Sequence, residues 1–443
     1  MADAFPPDRN TRAGNKRGGK SGKVADFRYK AAPRQKVQYG QHAARAGNIA
    51  HHIEDPRQKS AASQSGRSSS GSKSGYGGKR YDGKQAPPDL SAIGTTHHTG
   101  HAEAYAALDL GTNNCRLLIA RPSGRDFTVI DAFSRVVRLG DGLAKSGRLS
   151  DVAMDRTLSA LTICADKLRR RNVRLARSVA TEACRRASNG AEFIERVRRE
   201  TGIALDIISA EEEARLAVLG CHILLEAGDG PAVIFDIGGG STELVLVEAG
   251  GPQASTVPRI LDWQSVPWGV VSLTDTVGRD EGDAALRAQR YARMRNLVAE
   301  SFAPFAERVR SAAGHPDIRL LGTSGTVTTL ASLHLELPHY DRKAVDGLIV
   351  PALSMREISA QLSAMSPERR SKVPCIGADR ADLVVAGCAI LEAILDLWPA
   401  QRLGVADRGI REGILRSLMA AEHRGAVSQR APGRAGTGKG AQP

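Results

Sequence analysis

One segment of this chain occurs twice. AALDLGTNNCRLLIAR, Ala106 to Arg121, lies over VIFDIGGGSTELVLVE, Val233 to Glu248, without a gap at a constant offset of 127. Asp109 falls on Asp236, Gly111 on Gly238 and Leu117 on Leu244. Each copy reads as a strand, an acid, a short turn and a second strand. A repeated supersecondary unit implies two related halves, and 443 residues are enough for two hydrophobic cores. A strand that ends in Asp delivers a carboxylate at its tip. A following turn with little side chain lets successive backbone N–H groups point into one concavity, a nest for phosphate oxygens. Glycine is expected there for positive φ and for close approach.

The turn is not a P-loop, because G-x-x-x-x-G-K-[ST] is absent. It is not a dinucleotide fingerprint either, because a strand follows it in place of a helix. A carboxylate beside a phosphate nest implies a divalent cation, Mg²⁺ above all, held by one or two acids and the substrate's own oxygens. A third loop, LLGTSGTVTTLASL, runs from a strand through Gly322, Ser324 and Gly325 into a helix opening near Thr326. Its helix N-terminus offers another place for phosphate.

The rest of the pattern alternates. Strands are expected at Tyr105–Leu110, Cys115–Arg121, Val173–Thr181, Ala204–Ile208 and Ile318–Leu321. Helices are expected at Met154–Arg171, Ala191–Thr201 and Ala284–Ala306, with several more to about Ala421. In SAEE, Ser209 stands as N-cap with Glu212 three residues on, which starts a helix expected to run to about Glu226. Mixed strands and helices in each half argue the α/β class.

The formal charge of +14 sits at the ends. Residues 1–100 hold 18 Lys/Arg against 7 Asp/Glu and residues 421–443 hold 4 against 1, which leaves 40 against 40 between them. A high isoelectric point therefore says little about the body, and residues 1–103 and 421–443, rich in Gly, Ser, Lys and Arg, are expected to be disordered. The histidines at His51, His52 and His97 to His101 read as solvated, since nothing nearby completes a metal-ligand set. Six scattered cysteines without a C-x-x-C read as small buried hydrophobes in a reducing compartment. No apolar run suggests a signal peptide or a membrane span, so a cytoplasmic protein is expected.

With DLGTNNCRL, DIGGGSTEL and GTSGT in this order, the body resembles the exopolyphosphatase and guanosine pentaphosphate phosphohydrolase family, within the superfamily of actin, heat-shock chaperones and sugar kinases. The resemblance covers about residues 104–420. It implies two ribonuclease-H-like lobes, 104–229 and 230–420, around a central cleft, with the two hairpins facing each other as phosphate-binding loops. It implies hydrolysis of a terminal phosphoanhydride with Mg²⁺ as cofactor, and either inorganic polyphosphate or guanosine pentaphosphate as substrate. The family's water-activating Glu falls on Glu213 in AEEEARLAVLG. On a helix Glu213 shares a face with Leu216, Ala217 and Gly220, which turns it inward while Glu211 and Glu212 serve the cap and the dipole. The resemblance makes Glu213 and Asp236 catalytic and sets Asp109, Asp236 and Glu213 beside the metal. It gives phosphate binding to Gly111, Thr112, Asn113, Asn114 and Arg116, to Gly238, Gly239, Gly240 and Ser241, and to Gly322, Ser324 and Gly325. Arg185 in TEACRRA, Arg380 in GADRADLVVAG and Arg411 in ADRGIREGIL are the further basic candidates.

The first loop departs from the family's usual G-S-N-S, since Asn114 replaces a hydroxyl by an amide. The chain looks like the short, two-lobe form. A small-molecule kinase and a non-enzymatic module that holds polyanions through the basic arm remain as other classes, and a homodimer remains open.

Overall fold

The computed structural model describes residues 103–430 apart from 125, 229, 249–256, 281 and 316. The expectations for residues 1–102 and 431–443, arm, tail and histidines alike, lie outside these residues.

Two mixed sheets carry the body. The first contains β1 (Ala104–Leu110), β2 (Asn114–Ser123), β3 (Asp126–Val136), β4 (Val173–Ala180) and β5 (Leu205–Ile207) in the order β3-β2-β1-β4-β5. The second contains β6 (Pro231–Ile237), β7 (Thr242–Glu248), β8 (Arg259–Val266), β9 (Arg319–Thr323), β10 (Ile349–Pro351) and β11 (Arg402–Ala406) in the order β10-β11-β9-β6-β7-β8. In both, three antiparallel strands are followed by two parallel ones, and β10 extends the second sheet as an antiparallel edge. The repeat read in one hairpin therefore extends to a whole sheet. Even a local irregularity recurs: the β2–β3 register shifts between Ile119 and Ala120, and the β7–β8 register shifts between Leu246 and Val247, at the same offset in sequence.

The strand period of two sorts the side chains. In β1, Ala104, Ala106, Leu108 and Leu110 face a core built with α1 (Asp151–Arg170) and α2 (Gly190–Thr201). Tyr105 and Ala107 face the other way, onto Leu216 and Ala217 of α3 (Ala210–Cys221) and onto Ile414, Leu415 and Met419 of α9 (Ile410–Arg430). In β6, Val233 and Phe235 enter the core formed with α5 (Ala284–Arg308) and α8 (Leu383–Leu397), where Phe305 and Trp398 meet edge to face at 5.8 Å. Ala232 and Ile234 face Ala214, Val218 and Cys221 of α3. Helix α3 thus lies between the sheets, with one face for each. By the same period, Asp109 and Asp236 lie on the faces turned toward it.

Helices α3 and α9 cross backbone against backbone. A Cβ on Gly220 would come within 1.9 Å of the Gly409 carbonyl oxygen, and one on Gly413 within 2.1 Å of the Leu216 carbonyl oxygen. Two further helices, α4 (Val270–Val277) and α6 (Gly325–His334), take part in the site together with α8, and α7 (Ala352–Ala364) packs in the second core.

Several expectations are corrected. Helix α3 ends at Cys221 and tightens into a 3₁₀ turn through Leu224, short of Glu226, and this carries Leu224 and Leu225 back onto the core beside β6. Strands β3, β8, β10 and β11 were not read from the sequence. Helix α9 continues to Arg430, past the expected start of a tail at 421, and Pro432 is the first proline to follow. Residues 410–420, expected with the second lobe, pack on the first sheet through Ile410, Ile414, Leu415 and Met419. The cysteines behave as expected, all free, five buried and Cys375 partly so. Among the described residues no helix is long and apolar enough to cross a membrane.

Candidate active site

The two hairpins build the cleft with the same local chemistry. In the first, the Gly111 N–H donates to the Asn114 carbonyl at 2.9 Å, and in the second the Gly238 N–H donates to the Ser241 carbonyl at 2.9 Å. The loop carbonyls are then drawn into the protein. Thr112 O accepts from Gly140, and Asn113 O accepts from Val137 and Arg138. Gly238 O and Gly239 O accept from Val270 and Val271 at the start of α4, and Gly240 O accepts from the Ser272 hydroxyl. The N–H groups of Thr112, Asn113, Gly239 and Gly240 donate to nothing among the described residues. With carbonyls tied behind and N–H groups in front, both loops have the polarity an anion needs.

The glycines of the second loop act by closeness. Among the described residues, none of Gly111, Gly238, Gly239 and Gly240 has positive φ, contrary to expectation. A Cβ on Gly239 would meet Asn113 N and Thr112 Cβ at 3.0 Å, and one on Gly240 would lie 2.6 Å from Thr112 Oγ1 and 2.7 Å from Glu182 Cγ. Bare backbone is needed because the two loops touch.

Acids line the floor of the cleft. Asp109 stands directly across the ladder from Arg116, and Asp236 from Glu243. Asp109, Asp236, Glu213, Glu243 and Glu182 all border the same cavity, with Thr181 beside them. Burial pushes Asp109 up, against the pull of Arg116 and Arg411. Burial also raises Asp236 to about 8, with the charge of Glu243 adding to it. Glu213, 7 % exposed, is pushed well above the ordinary carboxylate range by burial and then by Glu243. Ser209 caps α3 through the Glu212 N–H, and the phase of that helix turns Glu213 inward while Glu212 pairs with Arg177 and Arg215 at the surface. Burial raises Glu243 too, offset by the hydroxyls of Ser241 and Ser265, which donate to it at 2.7 and 2.8 Å.

So many buried acids call for a cation. Among the described residues, no three His, Cys, Asp or Glu side chains are grouped to hold a metal by themselves. Asp109 Oδ1, however, is buried with no hydrogen-bond partner, beside an Asp236 that gives up its proton reluctantly. One or two such carboxylates are the share a divalent cation asks of a protein when phosphate and water complete its shell. The donor set fits.

Most of the expected site residues come together here. Gly111 to Asn114, Arg116, Gly238 to Ser241, Ser324, Gly325 and Arg380 line the cavity with the acids. Arg116 and Arg380 make no hydrogen bond or ion pair among the described residues, which leaves their guanidinium groups for an anion. Ser324 sits at φ 149°, a strained region for any side chain, and its hydroxyl accepts from Thr326 and Val327 at the head of α6.

Three expected ligands are placed elsewhere. Gly322 lies within β9, where a Cβ would strike the Phe235 ring at 2.5 Å, so it serves packing. Arg185 donates to the Ile208 carbonyl at 2.8 Å, to Glu213 at 3.0 Å and to Glu182 at 2.8 Å, which makes it a clamp on two acids. Arg411 is not among the lining residues and acts on Asp109 and Glu412 through its charge. The sequence reading missed Glu243 and Glu182. The repeat held the signal for Glu243, because at the common offset it takes the place of Arg116, already singled out.

Comparison with known proteins agrees with this geometry. The family model described as the Ppx/GppA phosphatase family matches residues 118–422. A curated relative, exopolyphosphatase 2 of Mycobacterium tuberculosis, is 30 % identical over 326 residues, 71 % of this chain and 98 % of that protein. Among solved structures, the Aquifex aeolicus member of the Ppx/GppA family matches with a TM-score of 0.58 at 27 % identity, over 74 % of this chain and 99 % of its own. An exopolyphosphatase from Cytophaga hutchinsonii matches with a TM-score of 0.63 at 26 % identity, over 71 % and 96 %. The chain has the two-lobed, actin-like fold of these proteins and belongs to the Ppx/GppA phosphatase family.

Proposed function

We propose that the chain is an exopolyphosphatase, which hydrolyses the terminal phosphoanhydride of inorganic polyphosphate and releases phosphate. The observation that carries this reading is the doubled loop, with its carbonyls tied into the protein and its N–H groups unpartnered among the described residues, on a cleft that ends in buried acids. The name of the Mycobacterium tuberculosis relative supports it. In this reading the free N–H groups of Thr112, Asn113, Gly239 and Gly240 hold the terminal phosphoryl oxygens. Arg116 and Arg380 offset the charge of the following phosphates. Glu213, held in place by Arg185, accepts a proton from water as the water oxygen bonds to the terminal phosphorus. The bond to the bridging oxygen breaks, and that oxygen leaves with its electron pair on the shortened chain. A high proton affinity suits Glu213 to this task. Mg²⁺, held by Asp109 and Asp236 together with the substrate's oxygens, would offset charge on the reacting phosphoryl group. Phosphoryl transfer otherwise asks mainly for positioning and electrostatics.

Phosphate release from long polyphosphate, tripolyphosphate and guanosine pentaphosphate by the purified protein tests the reading, which expects polyphosphate to be consumed with the highest kcat/KM. Glu213→Gln is expected to lower kcat about 10²-fold or more with little change in KM. Turnover near that of the parent would remove Glu213 from the base role.

One observation favours guanosine pentaphosphate as the second reading. Ile376, Leu383 and Val384 form an apolar wall of the cavity beside Arg380. A purine has a face to lay on such a wall, and a bare phosphate chain does not. Release of phosphate from the pentaphosphate alone would select it. ADP formation that depends on an added acceptor would point to a kinase.

A further inference from the structure

Away from the cleft, an open groove of about 810 Å³ lies at the far end of α4, between its last residue and the first turns of α5. Its described lining includes Arg279, Arg287, Arg290 and Arg293. Among the described residues, the acids that line it are Asp280 and Glu300. Asp280 is already matched, since its carboxylate meets the fully buried Arg370 at 2.9 Å. Among the described lining residues, one unmatched acid therefore stands against four arginines. Two of these arginines are fixed by backbone: Arg287 donates to the Gly282 carbonyl and Arg290 to the Gly278 carbonyl, each at 2.6 Å. Their remaining buried nitrogens, Arg287 Nε and Arg290 Nη2, have no hydrogen-bond partner. Arg279 and Arg293 form no ion pair among the described residues. Burial pushes Arg290 below the ordinary arginine value, a cost that Asp280 and Asp382 offset only in part and that an anion in the groove would relieve further.

The groove and the cleft share a helix. Val270, at the start of α4, lines the cleft, and Val277, at its end, lines the groove. Eight helical residues span about 12 Å, a distance of several phosphate units. We propose that the Arg279–Arg293 groove is a second binding site for phosphate chains, which holds a distal stretch of the polymer whose end lies in the cleft. Planar guanidinium groups suit successive phosphate oxygens, each contact being charge-assisted on both sides. The proposal rests on the exopolyphosphatase reading for its substrate, and it assigns to the groove a preference for long chains over short ones.

The test is the double variant Arg279→Gln, Arg293→Gln, which removes two side chains that form no hydrogen bond or ion pair among the described residues. Its KM for long polyphosphate is expected to rise about 10-fold, with kcat and the KM for tripolyphosphate unchanged, and the corresponding double Lys variant is expected to recover most of the loss. An unchanged KM for the long chain would overturn the proposal. If the parent protein hydrolyses no polyphosphate, the exopolyphosphatase reading fails by itself. Binding of a labelled long polyphosphate then decides for the groove, about 10-fold weaker in the variant if the proposal holds and equal in both if it does not. Loss of single-stranded RNA binding in the variant, with polyphosphate KM unchanged, would reassign the groove to nucleic acid and overturn it.

Discussion

At the scale of single residues, this cleft places like charges together. Asp236 has Glu243 directly across the ladder and Asp109 close enough to disfavour its ionisation. Its carboxyl holds its proton to about 8, against 3.8 for an ordinary Asp. The unfolded chain releases that proton near 4 and the folded chain does not, so the metal-free protein loses stability as pH rises from about 4 to 8. Asp236→Asn is expected to flatten this fall and to raise stability near pH 8 by about 1–3 kcal/mol, a few degrees in Tm, while turnover is lost. Thermal melts of both proteins in a chelator from pH 4 to 8 check the first part. Added Mg²⁺ is expected to raise the melting temperature of the parent but not of the variant. A melting temperature unchanged by the substitution would mean that burial and the neighbouring acids do not hold the proton on Asp236. Arg185 belongs to the same account. The resemblance of TEACRRA to a family segment suggested a place near the substrate, and the three hydrogen bonds of Arg185 hold Glu213 and Glu182 in place.

At the scale of elements, much was legible. The strand, acid and turn of each hairpin, the Ser209 cap and the inward phase of Glu213 all follow from local pattern, because each depends on residues within a few positions of one another. Of the strands that were missed, β3, β8 and β10 lie at sheet edges, β10 and β11 are only three and five residues long, and the alternation of β3 and β8 is mixed with charge. Their strand character comes from a partner already in place. The crossing of α3 and α9 was invisible for a related reason. Gly220 reads as a weak point in a helix, yet the approach of Gly409 is what requires it. Gly220→Ala and Gly413→Ala are each expected to cost about 1–3 kcal/mol, whereas Gly377→Ala, with open space around its Cα, should be close to neutral. Denaturant melts of the three variants distinguish them, and a neutral Gly220→Ala would mean that the two helices do not meet at this depth.

At the scale of the whole molecule, the residues assigned to catalysis lie within 109–411, and the excess charge lies outside the body. Removal of residues 1–102 is expected to leave kcat for tripolyphosphate within about 2-fold of the full chain, and a phosphate-release assay on the truncated protein reads this directly. A collapse of turnover would give the arm a part in the chemistry. The repeat by itself determined that there are two halves and that each opens with an acid at a strand tip followed by a glycine-bearing turn, and the alternation of strands and helices determined the α/β class, since these properties are carried by residue order and period. Only the tertiary structure decided what those features meet. It set the glycine loops against each other, turned Arg185 from ligand to clamp, placed Gly322 in a core, brought Glu243 beside Asp236 and laid α9 across the first sheet. Each of these is a contact between segments far apart in the chain, and such contacts are set by packing two sheets around one helix, which no window of sequence contains.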